Sequence, residues 1–315
     1  MASVHQWHDS FVFICVHLRL KPFLGSCQIT DLTTRTMHTP TDENDVRREM
    51  LRNAIAEGAD HEVLRFSVFC ADRLVMHLHP ATGDKILDAA TGTGALAMAA
   101  SQAVGQSGRV TAIDTAESLL VRLEDKIRKF GIANIDVHAM DAMRLDFRRD
   151  YFQHTACSLG LFWQADARAA MREWVRVTRP GGSVNLAVFA PQAFQPQLGL
   201  LRQRIAQVSE SVDAKVSWEQ VSQREPLFAL MQDTGLVDVT VHEEQLGYHL
   251  SDAMEWWTLV WNSVLRLQVD RVPAEKRDRL RTEHLAEVAQ LVMADGLWLD
   301  VPVLFARGHK PRAPR

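Results

Sequence analysis

The stretch that most limits what this chain can fold into is Ile86-Leu-Asp-Ala-Ala-Thr-Gly-Thr-Gly-Ala-Leu-Ala97. An apolar run too short for a helix ends in an acid, passes through two glycines and continues as an alanine-rich segment of helical composition. Gly92 and Gly94 allow a sharp backbone turn, and the helix that follows points its free amides back at whatever the turn holds. A strand feeding a glycine turn and then a helix opens a βαβ unit, whose parallel strands need right-handed crossovers.

The middle of the chain repeats this rhythm. Apolar periodicity predicts strands over 85–88, 109–114, 135–140, 155–160 and 183–190, separated by helices over 95–104, 116–130 and 165–177. Further on come helices over 198–208 and 226–232 and a strand over 237–242. One apolar helix over 252–267 follows, then a charged amphipathic helix over 275–293 and a final strand over 298–306. Ahead of the sheet, Val46, Met50, Leu51 and Ile55 recur at helical spacing, as do Val63, Phe66, Phe69, Cys70, Leu74 and Leu78. The expected fold is α/β, a doubly wound open sheet whose ligands sit beyond the carboxyl ends of the strands.

Composition closes off several classes. With 47% hydrophobic and 23% charged residues the chain can bury a core, and its net charge of −4 lacks the basic footprint of a nucleic-acid binder. No run reaches the ~20 apolar residues of a membrane helix. Cys15, Cys27, Cys70 and Cys157 form no C-x-x-C pair, so neither a zinc site nor a disulfide framework is expected, and reduced thiols in the cytoplasm are the economical reading.

Residues 1–40 read as a leader of little order. Leu24-Gly25-Ser26-Cys27 resembles a lipoprotein cleavage box, but no Lys or Arg precedes Phe11, and His17, Arg19 and Lys21 intervene before the cysteine. Export is therefore not expected. Asp9, and the lack of arginine before Arg19, speak against a mitochondrial presequence, and Met37 is an alternative start.

The chemistry lies in three acids, each after a strand. Gly92, Gly94 and Ala97 satisfy the dinucleotide pattern G-x-G-x-x-A, so the glycines alone admit a nicotinamide cofactor. Asp88 separates the candidates. Beside a pyrophosphate its charge would repel, whereas S-adenosylmethionine carries an ammonium and a sulfonium that a carboxylate attracts over ~4–6 Å. Asp114 ends the second strand where ribose hydroxyls can be bound, a feature common to both cofactors. Asp141 with Ala142 and Met143 follows the third, placed for an adenine amino group and ring. Any one of Asp114 and Asp141 alone would be read as a helix cap; the set after three consecutive strands points to a cofactor.

Asp88-Ala-Ala-Thr-Gly-Thr-Gly94, Ala112-Ile-Asp114, Met140-Asp-Ala142 and Arg176-Val-Thr-Arg-Pro-Gly-Gly182 resemble class I S-adenosylmethionine-dependent methyltransferases, in particular the quinone-biosynthesis and small-molecule group. The resemblance covers roughly residues 60–190 well and continues loosely to the end. It implies a Rossmann-like, seven-stranded, mostly parallel sheet with an antiparallel last strand, read at Trp298-Leu-Asp-Val-Pro-Val303, plus a helical cap insertion. The domain is then 41–315, with N-terminal helices over 41–80 and a cofactor core over 81–190. Substrate-side helices and the sixth strand take 191–297, and the last strand 298–309. The resemblance further implies that Asp88, Gly92 and Gly94 hold the methionine part, Asp114 the ribose, and Asp141 with Ala142 the adenine. Ser158 and Leu159 would border the sulfonium, and Ala90, Thr91 and Thr115 would also contact the cofactor. Phe152-Gln153-His154 departs from the usual Phe-Asp start of the fourth strand, which bears on that strand's local geometry.

The acceptor side is read by elimination. No Asn-Pro-Pro-Tyr or Asp-Pro-Pro-Tyr follows the fourth strand, there is no Pro-Cys nucleophile, and the acids of metal-dependent catechol methylases are missing. No metal is expected. A small, apolar or aromatic acceptor methylated on oxygen or carbon remains, with Phe69, Trp163, Trp257 and Trp261 as its candidate contacts. Tryptophans at helical spacing more often mark a core stripe. His154, His242 and His249 are conceivable bases, each more simply read as structural. The rival readings are an NAD(P)-dependent oxidoreductase, a non-catalytic cofactor-binding relative of the methyltransferases, and methylation of RNA.

Overall fold

The computed structural model describes residues 64–208 and 221–312. The leader over 1–40, the helix expected from Asp42, and Cys15 and Cys27 lie outside the described residues.

Strand β1 (Lys85–Ala89) is buried from Ile86 onward, as a strand covered on both faces requires. It pairs in parallel with β2 (Arg109–Asp114) on one side and β4 (Phe152–Ser158) on the other. β3 (Ile135–Ala139) adds in parallel outside β2, and β5 (Thr178–Phe189) outside β4. Beyond β5 the direction reverses: β9 (Pro302–His309) runs antiparallel between β5 and β6 (Val237–Gln245). The sheet order is β3-β2-β1-β4-β5-β9-β6, seven strands with one reversed. This is the expected doubly wound architecture, and its strand order reverses between β1 and β4, where a crevice forms at the strands' carboxyl ends.

Helices cover both faces of the sheet, which separates two apolar cores. Helix α1 (Arg65–Leu78) buries Phe66, Cys70, Leu74 and Leu78 at helical spacing. Helices α2 (Ala95–Val104), α3 (Glu117–Phe130) and α4 (Ala167–Val177) are the crossovers. Asp166 caps α4 by accepting from the Ala169 amide at 3.0 Å. Trp174 on α4 is fully buried, and its indole N–H donates to the Ala142 carbonyl at 3.0 Å, pinning the loop after β3. Helix α6 (Arg224–Asp233) packs on β6 and β9, and the cap comprises α5 (Gln197–Val208), α7 (Ala253–Trp261), α8 (Arg266–Asp270) and α9 (Ala274–Ala289).

Three expectations about elements are corrected. The single apolar helix over 252–267 is two, α7 and α8, broken at Asn262-Ser263. The final strand is also two pieces. Trp298 lies in β8 (Leu297–Leu299), which pairs with β7 (Tyr248–Leu250) in a separate two-stranded sheet, and the antiparallel strand of the main sheet is β9. Strand β5 begins at Thr178, so Arg179-Pro-Gly-Gly182 belongs to it rather than to a loop. At the unusual start of β4 the ladder shifts register between Phe152 and His154, and the Gln153 carbonyl oxygen of the side chain accepts from the Lys85 amide at 3.0 Å.

Among the described residues no helix is long and apolar enough to cross a membrane, and no group of His, Cys, Asp or Glu could hold a metal. Cys70 and Cys157 are buried free thiols whose pKa values burial pushes up, to about 12 for Cys70.

Candidate active site

A cavity of about 180 Å³ opens where β1, β2 and β4 end. Asp88, Ala90, Thr91, Gly92 and Asp114 line it, as do Ser158, Leu159 and Trp163, so eight of the residues expected from sequence meet in one place.

Asp88 is 1% exposed. The Thr91 hydroxyl donates to its Oδ2 at 2.6 Å, while its Oδ1 has no hydrogen-bond partner among the described residues. Burial pushes this carboxyl up to about 7; the Thr91 hydroxyl pulls it down and the neighbouring Asp114 charge raises it. Asp114 is fixed by backbone donors: the Gly92 amide gives to Oδ2 and the Ala116 amide to Oδ1, each at 2.9 Å. The glycine turn and the end of β2 are thereby locked together.

Gly92 has φ +57°, and a Cβ there would meet nothing within 4 Å, so the turn leaves open space. Gly94 is different. Its φ is +84° and a Cβ would fall 2.2 Å from Leu123 Cδ1, so its lack of a side chain lets the loop seat on α3, and it does not line the cavity. Ala90 (φ 57°) and Leu159 (φ 55°) are non-glycine residues in the left-handed region, and both line the cavity, strain of the kind that collects at functional sites.

Thr115, Asp141 and Ala142 do not line this cavity. Thr115 Oγ1 is buried without a hydrogen-bond partner, and Asp141, 8% exposed, accepts from the Met143 amide at 2.8 Å. They stand at the exits of β2 and β3, along the same edge of the sheet. In the cavity itself, a buried Asp88 carboxylate oxygen with no partner among the described residues and open space over Gly92 fit a ligand that carries a cation.

Of the expected acceptor contacts only Trp163 lines the cavity. Trp257 is 7% exposed and packs in the core beside His284, ring centroids 6.2 Å apart. Trp261 carries the Arg266 guanidinium 4.5 Å over its ring, and Phe69 rests edge-on against Tyr248. The apolar wall is instead Phe66, Phe162 and Phe189 with Trp163; Phe66 and Phe189 pack edge-to-face at 5.5 Å. Asn262, Ser263 and Val264 complete it. Sequence held one signal for them, two polar residues interrupting an apolar helix; nothing marked Phe66 apart from its core neighbours. None of the three candidate histidines lines the cavity: His154 bonds Ser183 and Asp84 near the start of β4, His242 lies on β6 and His249 on β7.

A profile of the ubiE/COQ5 methyltransferase family matches residues 53–203. The ubiquinone/menaquinone biosynthesis C-methyltransferase UbiE of Cronobacter sakazakii is 30% identical over 171 residues, 54% of this chain and 63% of that one; the chain thus spans under two thirds of that relative. The demethylmenaquinone methyltransferase of Geobacillus kaustophilus is 30% identical over 184 residues, 52% of this chain and 76% of that one. Among solved structures, the YcgJ protein of Bacillus subtilis aligns with a TM-score of 0.54 at 16% identity, covering 78% of this chain and 99% of that one, a likeness of fold. With the acids and glycine turn gathered at the strand ends, and with these relatives, the chain belongs to the ubiE/COQ5 methyltransferase family, whose methyl donor is S-adenosylmethionine.

Proposed function

We propose that this chain transfers a methyl group to a carbon of a small aromatic acceptor of the hydroquinone type. One observation carries the reading: the cofactor loop and an apolar aromatic wall share a single cavity. The likeness to a C-methyltransferase, the UbiE of Cronobacter sakazakii, favours carbon over oxygen as the methylated atom.

S-adenosylmethionine supplies an electrophilic methyl group on its sulfonium. Asp88 with Ala90, Thr91 and Gly92 would hold its methionine end, Asp114 and Thr115 the ribose, and Asp141 with Ala142 the adenine. Ser158 and Leu159, at the end of β4, would border the sulfonium. The methyl passes from sulfur to the ring carbon by in-line displacement, leaving S-adenosylhomocysteine, and the proton that carbon carried is released to solvent; the chain's contribution is to hold the acceptor in line. Phe66, Phe162, Trp163 and Phe189 suit that task. Among the described residues no histidine lines the cavity, so the reading rests on positioning rather than on a histidine base.

The test is calorimetric titration with S-adenosylhomocysteine, with NADH in parallel, followed by mass and NMR analysis of 1,4-naphthalenediol incubated with S-adenosylmethionine. Micromolar binding of S-adenosylhomocysteine alone and a new ring-methyl signal are expected. NADH binding alone would return the oxidoreductase reading. Binding without turnover on any acceptor would leave a non-catalytic relative.

A further inference from the structure

The break between α7 and α8 places two polar residues in a segment that is otherwise Trp, Leu and Val. Asn262 is 7% exposed, ends α7 and lines the cavity. Its amide N–H donates to the Thr258 carbonyl at 3.0 Å, and its side-chain Nδ2 donates to the same oxygen at 2.7 Å. That second bond sets which way the amide faces, because turning it over would bring Oδ1 against a carbonyl oxygen. Oδ1 is left buried with no partner among the described residues. Ser263, its neighbour, is already committed to Val260 and Leu265.

Capping α7 explains Nδ2 and leaves Oδ1 unexplained. A buried acceptor with nothing to accept costs free energy that an apolar residue at the same position would not. Among the described residues nothing donates to this oxygen, and Asn262 lines the cavity together with Phe66, Phe162, Trp163 and Val264, so a donor can come from whatever fills that cavity. Residue 262 also lies outside the 53–203 family match, in the part of the chain where this protein's own specificity can reside.

We propose that Asn262 is the specificity-determining residue for the methyl acceptor, its Oδ1 taking a hydrogen bond from an aromatic hydroxyl while the surrounding rings hold the acceptor's face. The inference rests on the methyltransferase reading, and sites built to bond a hydroxyl discriminate sharply against analogues that lack it. Its test compares two probes on the protein saturated with S-adenosylhomocysteine: 1,4-naphthalenediol, kept reduced, and 1,4-dimethoxynaphthalene. Wild type should bind the diol about tenfold more tightly than the ether, the share of one hydrogen bond. N262L should lose that preference with S-adenosylhomocysteine affinity unchanged. If N262L melts well below wild type, N262A carries the same comparison. Equal binding of diol and ether by wild type, or an unchanged preference in the variant lacking the acceptor, overturns the role of Asn262 and leaves the methyltransferase reading standing. Failure of wild type to bind S-adenosylhomocysteine overturns both.

Discussion

At the scale of single residues, Asp88 ties burial to function. Its carboxyl, pushed up to about 7, is neutral below that pH and charged above it. A ligand ammonium selects the charged form, so S-adenosylhomocysteine should bind more tightly as pH rises from 6 to 8 and should displace a proton on binding near pH 7. Calorimetry in buffers of differing ionisation enthalpy reads that proton, and Asp88→Asn should abolish both the release and the pH slope. Asp114 has two tasks, since its oxygens accept from the Gly92 and Ala116 amides as well as facing the cavity. Asp114→Ala is expected to weaken S-adenosylhomocysteine binding by about 1.5–3 kcal/mol, the loss of hydrogen bonds to a charged group. Wild-type affinity in that variant would take Asp114 out of the site.

At the scale of elements, the cap is held by a buried pair. The Trp256 indole on α7 donates to His284 Nε2 on α9 at 2.8 Å, and burial holds the His284 imidazole down at about 4. The unfolded chain takes up this proton near 6.5, so between those values the unfolded state binds more protons. Stability should therefore fall as pH drops from 6.5 toward 4, by about 3 kcal/mol in all. His284→Gln keeps an acceptor for Trp256 and should flatten the profile of melting temperature against pH over that range. A profile as steep as wild type would show that other groups govern acid unfolding. Trp257 illustrates the same packing: it belongs to the core, so Trp257→Ala should cost about 3–5 kcal/mol of stability, read by chemical denaturation. Altered acceptor use at unchanged stability would restore it as a lid residue.

At the scale of the whole molecule, seven strands of the order β3-β2-β1-β4-β5-β9-β6 bring residues from 64 to 264 around one cavity. Saturating ligand there should stabilise the entire fold through binding to the folded state alone. At a hundred times its dissociation constant, S-adenosylhomocysteine should add about 2.7 kcal/mol to unfolding, visible as a raised melting temperature, and the same concentration should add only about 0.3–1.3 kcal/mol to Asp114→Ala.

Much of this was legible in the chain. The strand–glycine–helix unit, the acids after β1, β2 and β3, and the alternation of strands with helices are local patterns, and periods of 2 and 3.6 report them directly. Asp88, Gly92 and Asp114 were readable because charge and backbone freedom are properties of the residues themselves. What stayed hidden was set by partners distant in sequence. Periodicity says that one face of 252–267 is buried, not what it is buried against, so Trp257 and Trp261 read the same as a core stripe or a lid. The break at Asn262-Ser263, the split of the last strand into β8 and β9, and the choice of Phe66 and Phe189 for the cavity wall follow from how helices and sheet meet. The sequence by itself determined the sheet, the glycine turn and the cofactor's charge complement, because short-range patterning suffices for each. Only the tertiary structure decided which aromatic rings line the cavity and which buried oxygen is left without a partner among the described residues, because both depend on surfaces that come together when the chain closes.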